Sequence, residues 1–123
     1  MSLITTSRSV DLEHLSRYTG DDSELKAEVL GLFTTQAKEL LQRLGAALEK
    51  RDSKDWYQTA HSLKGAARGI GAFALGDAAA AAEEVDPAAQ PDEAAVCLKT
   101  MRNRSQSVQH FIDAYLGVQR AGT

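Results

Sequence analysis

"AHSLKGAARGIGAF", residues 60–73, is the stretch that decides the fold, because it fits two different structures. Its part "GAARGIG" resembles the glycine-rich phosphate loop of a dinucleotide-binding domain. Such a loop follows a buried strand directly, since its glycines turn the chain from strand to helix over the pyrophosphate. Here the preceding residues, "DWYQTAHSLK", have helical spacing. We therefore interpret the stretch as a helix that carries His61.

The rest of the chain favours the helical interpretation. Helix formers dominate, and β-branched residues are too sparse for a sheet. Helical spacing predicts a short N-terminal helix in "VDLEHLSRY", a long helix from the turn "TGDDSELK" to Lys50, a third from about Lys54 to Arg68, a fourth in "ALGDAAAAAEEV", and a last long helix after Pro87 and Pro91. Their short connections predict an all-α fold, an antiparallel four-helix bundle with a short additional N-terminal helix.

Local signals predict helix starts and core positions. Asp21, with Glu24 three residues on, resembles a capping box for the long helix, and Asp52 or Ser53 is the expected N-cap of the third helix. The core positions expected in the long helix are Leu25, Val29, Leu32, Phe33, Leu40, Leu44 and Leu48. Those expected in the last helix are Leu98, Met101, Val108, Ile112 and Tyr115, with Ser105 as the polar residue of the series.

Composition narrows the class of protein. A chain of 123 residues makes one domain, long enough for a single hydrophobic core. The net charge of −3 predicts neither nucleic acid nor a membrane as a partner. The single Cys97, expected to be a small buried hydrophobe, suits a reducing compartment. The start, "MSLITTSRSV", has no charged region followed by a long apolar run, so no signal peptide is expected, and no apolar run approaches membrane-spanning length; we therefore expect a cytoplasmic protein. One compact bundle with an exposed site favours a monomer.

Helical geometry gives the third helix two different faces. Its core-facing stripe is formed by Trp56, Ala60, Leu63, Ala67 and Ile70. At about 100° per residue, His61 lies roughly 140° from the middle of that stripe and should face solvent. Gln58, Gly65 and Arg68 share its face, and Lys64 lies on the flank towards the core. One exposed patch is therefore expected to hold an imidazole, an amide, two cations and a bare glycine.

This patch suits phosphoryl chemistry at His61. Neutral imidazole is a competent nucleophile towards phosphorus at neutral pH. Lys64 and Arg68 lie within a turn or two, where they can offset the charge of a phosphoryl group. A side chain at position 65 would lie over the histidine, so Gly65 keeps the imidazole accessible. The chain has no nucleotide loop in the right context, so a partner must supply the phosphoryl group and the metal.

The residues resemble a known family. "AHSLKGAARGIGA", with Phe33 and "DLEHL" upstream and Glu83 downstream, is similar to the histidine-containing phosphotransfer domains of bacterial phosphorelays. The resemblance covers about residues 10–116, the expected core of the single domain. The resemblance implies a stoichiometric carrier, in which His61 accepts a phosphoryl group from an aspartate of one receiver domain and passes it to another. It implies that Lys64 steadies the phosphoryl oxygens and that Glu83 orients Lys64 or the imidazole.

The resemblance also implies partners. They are response-regulator receiver domains, on which Mg²⁺ is expected, and a hybrid or simple sensor histidine kinase. The chain departs from the family at Arg68, where many members have a small or polar residue, and in its alanine-rich fourth helix. The Arg68 departure bears on the choice of partner.

Other interpretations stay open. One is a helical binding module whose histidine is never phosphorylated, and another is a chemotaxis-kinase-type histidine domain phosphorylated directly by a kinase. His14 and His110 are interpreted as ordinary surface residues. A metal site is not expected, because three histidines on separate segments lack a paired Glu-x-x-His pattern.

Overall fold

The computed structural model describes residues 9–121 of the protein, with side chains described for residues 9–117. Five helices make up this part of the chain, α1 (Leu12–Thr19), α2 (Ser23–Lys50), α3 (Ser53–Gly69), α4 (Phe73–Glu83) and α5 (Pro91–Ala121). Helix α2 packs on α3, α3 on α4, α4 on α5 and α5 back on α2, while α1 lies against α2. The predicted four-helix bundle with a short N-terminal helix is confirmed.

Aspartate side chains begin three of the helices. Asp11, Asp22 and Asp52 each accept a hydrogen bond from the backbone amide three residues later, which satisfies one unpaired donor of the first turn. Asp52 was one of two expected caps, and it is confirmed over Ser53. The expectation that Asp21 caps α2 was wrong. The helix begins at Ser23, so the residue next to it, Asp22, has the extended backbone that a capping residue needs.

The buried stripe of α2 differs from the expected one. Its buried residues alternate at steps of three and four, at Leu30, Phe33, Ala37, Leu40, Leu44 and Ala47. Leu32 and Leu25 were expected in the core, but 65% of Leu32 and 38% of Leu25 are exposed. The expectation counted large apolar residues and left out the alanines, although alanines complete the stripe that faces α3 and α5.

The core of α5 follows the expectation more closely. Leu98, Met101, Val108 and Ile112 are buried, whereas Tyr115 and Cys97 are only half-buried. Burial and the nearby Glu93 carboxylate raise the pKa of the Cys97 thiol, so this cysteine stays protonated at neutral pH. None of the helices in residues 9–121 is long and apolar enough to cross a membrane.

Small residues let α4 lie close to α3. Leu75, Gly76, Ala79 and Ala82 are the buried positions of α4. The buried indole of Trp56 donates a hydrogen bond from Nε1 to the carbonyl of Ala82, at 2.8 Å. This bond ties the end of α4 to the first turns of α3. It therefore sets the position of the next residue along α4, Glu83.

The turn between α3 and α4 anchors the N-terminal helix. Gly71 has a φ of +84°, and its carbonyl accepts a hydrogen bond from the amide of Asp11. A Cβ at Gly71 would lie 2.6 Å from the Asp11 carbonyl oxygen, so both the φ and the close approach require glycine. His14 is half-buried and makes edge contacts with the rings of Phe73 and Tyr18. It is therefore a packing residue between α1 and α4, not the simple surface residue expected, whereas His110 is exposed.

Candidate functional site

The two faces of α3 are those that helical spacing predicts. Trp56, Ala60, Leu63 and Ala67 are fully buried, and Ile70 is 5% exposed. The side chain of His61 is 61% exposed on the opposite face. The orientation of α3 is therefore confirmed, and the imidazole lies on the surface of the bundle.

Glu83 is the centre of the site. One carboxylate oxygen lies 2.7 Å from Nδ1 of His61, and the other accepts a hydrogen bond from Nζ of Lys64 at 2.8 Å. The Glu83 side chain is only 7% exposed, although it belongs to the last residue of α4. The family resemblance implied that Glu83 contacts either Lys64 or the imidazole. In the structure the carboxylate bridges both.

The two partners keep this carboxylate charged. Burial by itself would raise the pKa of Glu83, but the hydrogen bonds and charges of Lys64 and His61 together lower it below its ordinary value of 4.5. At neutral pH the group is therefore ionised and can only accept hydrogen bonds. It follows that Nδ1 of His61 carries the hydrogen of the 2.7 Å contact. The other ring nitrogen, Nε2, keeps its lone pair when the ring is neutral.

The imidazole of His61 has a neighbouring side chain on one side along α3 and open space on the other. Tyr57, one turn towards the N-terminus, stacks on the imidazole with a centroid distance of 6.0 Å and an angle of 14° between the planes. One turn in the other direction, a Cβ added to Gly65 would meet nothing within 4 Å. The imidazole is therefore supported from below and open from above, as expected for Gly65. Tyr57 was not among the predicted site residues, although its i−4 spacing from His61 on the exposed face could have identified it.

Two expected members of the patch do not join this cluster. Gln58 is exposed, and its backbone carbonyl accepts a hydrogen bond from the hydroxyl of Ser62. The guanidinium of Arg68 lies 3.4 Å from a carboxylate oxygen of Asp77 on α4. Among the described side chains, neither residue hydrogen-bonds to His61, and the phosphoryl-stabilising role expected for Arg68 stays a prediction.

Metal ligands are not grouped at the site. Within residues 9–117, no cluster of three or more histidine, cysteine, aspartate or glutamate side chains could hold a metal ion. The basic groups of the α3–α4 seam instead pair with carboxylates, Lys64 with Glu83 and Arg68 with Asp77. What the site offers is an exposed imidazole that shares the Glu83 carboxylate with a lysine ammonium, an arrangement suited to an anionic group such as phosphoryl.

The fold and the site together define a helical bundle that carries an exposed histidine paired with a carboxylate. The family model of the Hpt domain matches residues 28–113, and the chain belongs to this family. Histidine phosphotransfer in a phosphorelay is the function of the family, whose members carry phosphoryl groups.

One solved structure has the same architecture. The histidine-containing phosphotransfer protein B (HptB) from Pseudomonas aeruginosa PAO1 is 24% identical to this chain, and the two superpose with a TM-score of 0.77. The match covers 88% of this chain and 94% of that protein. At this level of identity the likeness shows a shared fold. A search of curated proteins gave no match.

Proposed function

We propose that His61 is the phosphoacceptor of this domain. It accepts a phosphoryl group from the aspartate of one receiver domain and passes it to the aspartate of another, so that the chain acts as a stoichiometric carrier. One observation carries the proposal: the Glu83 carboxylate holds Nδ1 of an imidazole that is otherwise 61% exposed. Nε2 is the nitrogen left for a partner to reach.

In the proposed transfer step, Nε2 of His61 is the nucleophile. Its lone pair attacks the phosphorus of the partner's aspartyl phosphate, and the P–O bond to that aspartate breaks with its electron pair leaving on the carboxylate. The ring, still protonated at Nδ1, gains positive charge as the N–P bond forms. Glu83, already ionised and 2.7 Å from Nδ1, stabilises that charge where it develops. The return step to the second receiver reverses these changes.

Lys64 is proposed to stabilise the phosphoryl oxygens. Its side chain is 22% exposed, and one hydrogen bond to Glu83 leaves further N–H donors on the ammonium. It lies three residues after His61, on the flank of α3 that faces α4, so both groups share the same carboxylate. A cation held on the same carboxylate as the imidazole lowers the barrier because it needs little rearrangement during transfer.

The partner is proposed to supply what the domain itself does not. Phosphoryl transfer to or from an aspartate uses Mg²⁺. We assign both the Mg²⁺ and the aspartyl phosphate to the receiver domain. A sensor histidine kinase would stand upstream of the relay. We further propose that the domain works as a monomer in the cytoplasm, where such partners meet it.

A labelling experiment tests the proposal. The chain is incubated with each receiver domain of its host, phosphorylated beforehand with radiolabelled acetyl phosphate, and the label is tested for acid lability and alkali stability. We expect the wild type to gain such a label and His61→Gln to gain none. His14→Gln and His110→Gln are the matched controls and should be labelled normally.

The same labelling experiment distinguishes the proposed function from the two alternative functions. Equal labelling of His61→Gln would refute the assignment. Labelling by a kinase and ATP without any receiver domain would favour the chemotaxis-kinase type, and no labelling under any condition would favour the binding module.

A further inference from the structure

The side chain of Arg68 crosses from α3 onto α4. A Cβ built on Gly76 would lie 2.8 Å from Cγ of Arg68 and 3.3 Å from its Nε. The arginine stem therefore occupies the space that any other side chain at position 76 would need. Gly76 is buried within α4, where a glycine weakens the helix. Because Gly76 has no side chain, it leaves the space in which the arginine stem lies, and we call this contact between Arg68 and Gly76 the seat.

The head of this arginine is held only weakly. Its guanidinium lies 3.4 Å from Asp77, and the two side chains are 46% and 75% exposed. A long ion pair between exposed groups contributes little to stability, because both ions remain hydrated. The guanidinium also keeps unused N–H donors. The stem is thus packed in a defined place while the head is free to change partner.

The position of Arg68 favours contact with a protein over contact with the phosphoryl group. Arg68 lies seven positions after His61, which corresponds to about 10 Å along the helix axis. A protein partner that buries about 800 Å² on this surface covers a disc about 16 Å in radius. A receiver domain centred on His61 would therefore cover both Arg68 and Asp77.

We propose that Arg68, seated on Gly76, is a specificity-determining residue that binds a carboxylate of the receiver domain, and that Asp77 competes for it in the free protein. The planar guanidinium matches a carboxylate in a two-bonded fork, which a lysine could not do. Binding then exchanges one weak pair for a better one, and the Asp77 carboxylate, 75% exposed in the free protein, gives up its partner. This inference rests on the proposed function, since the partner it names is the receiver domain that exchanges a phosphoryl group with His61.

A double-mutant cycle tests the competition. The probe is a receiver domain that labels the wild type, and its association rate with unlabelled chain is measured by stopped-flow at low and high ionic strength. We expect Arg68→Ala to lower the rate about tenfold at low ionic strength, with less effect in high salt. Asp77→Asn should raise the rate severalfold, because it releases the guanidinium.

The double variant distinguishes competition from simple repulsion. If Asp77 acts through Arg68, the variant with both changes should associate like Arg68→Ala alone. If Asp77→Asn speeds association equally without the arginine, Asp77 merely repels an acidic partner, and the competition is refuted. An unchanged rate for Arg68→Ala would refute the recognition role itself.

Replacement of Gly76 tests the seat. Gly76→Ala should displace the arginine stem and lower association in the wild-type background, with no further effect in the Arg68→Ala background. Gly31→Ala on α2 is the matched control, because a Cβ there would meet nothing within 4 Å. Equal association rates for Gly76→Ala and Gly31→Ala would show that the packing of Arg68 on Gly76 does not affect recognition. If Gly76→Ala fails to fold, the cycle of Arg68 and Asp77 still decides.

The outcome also separates this inference from the proposed function. Wild-type chain that no receiver domain labels would overturn both. Normal labelling together with normal association of Arg68→Ala would overturn only the role of Arg68. A lower association rate with an unchanged transfer rate at saturating receiver is the expected signature of recognition without a catalytic role.

Discussion

Gly65 gives the sharpest test of the site, because its replacement should separate stability from transfer. It lies in the interior of α3, on the exposed face, and a Cβ added there would meet nothing within 4 Å. Gly65→Ala should therefore raise the free energy of unfolding by up to about 1 kcal/mol, through the better helix propensity of alanine. For a domain of this size that gain corresponds to a rise in Tm of about 4 °C.

Transfer should respond in the opposite direction. Side chains four residues apart on a helix have Cβ atoms about 5–6 Å apart, and each leans towards the N-terminus. The methyl group of Gly65→Ala should thus sit beside the imidazole and slow transfer only a few-fold. The longer side chain of Gly65→Gln would lie over the open face of His61, where a misplacement of about 1 Å costs about a hundredfold in rate.

Thermal unfolding and single-turnover phosphotransfer measure the two effects on the same samples. Gly31→Gln is the control, since Gly31 is also exposed on a helix with open space around it but lies on α2. It should transfer at the wild-type rate. If Gly65→Gln unfolds the domain, the glycine is a packing residue and the orientation of α3 is misjudged. If it folds and transfers normally, access from above does not limit the reaction.

Three further changes test the acceptor, the cation and the buried carboxylate. His61→Gln should abolish labelling and change the free energy of unfolding by no more than about 1 kcal/mol, because the residue is exposed; a large loss of stability in a chemical melt would contradict this. Lys64→Ala should slow transfer about a hundredfold at saturating receiver while the Kd for the receiver changes little. If the variant binds the receiver more weakly but transfers at the wild-type rate, Lys64 is instead a docking residue. Because the pKa of Glu83 is lowered from 4.5, its charge stabilises the fold above that pH and ceases to do so as the pH falls through the lowered value. The stability difference between wild type and Glu83→Gln should therefore shrink below pH 4.5, and a constant difference down to pH 3 would exclude the charge as its cause.

Local periodicity was enough to predict the helices and the face of α3 that carries the site. The stripe from Trp56 to Ile70 is buried and His61 is exposed, because 3.6 residues per turn relate positions within one helix whatever surrounds it. The openness above the imidazole followed in the same way from the spacing of Gly65. Where the prediction relied on side-chain size alone, as for Leu32, it failed, because alanines serve as core residues at close helix contacts.

Local periodicity could not predict how the helices pack against one another. Glu83 is 22 positions from His61 and 19 from Lys64, and no spacing along the chain shows that one carboxylate bridges both. That contact depends on how α4 is rotated and shifted against α3, which the Trp56 bond to Ala82 and the small residues of α4 decide together. The seat of Arg68 on Gly76 arises from the same packing. The sequence by itself determined the helices and the exposed histidine, since both depend on local geometry. Only the tertiary structure decided which charged groups surround that histidine, since those contacts depend on the packing of two helices.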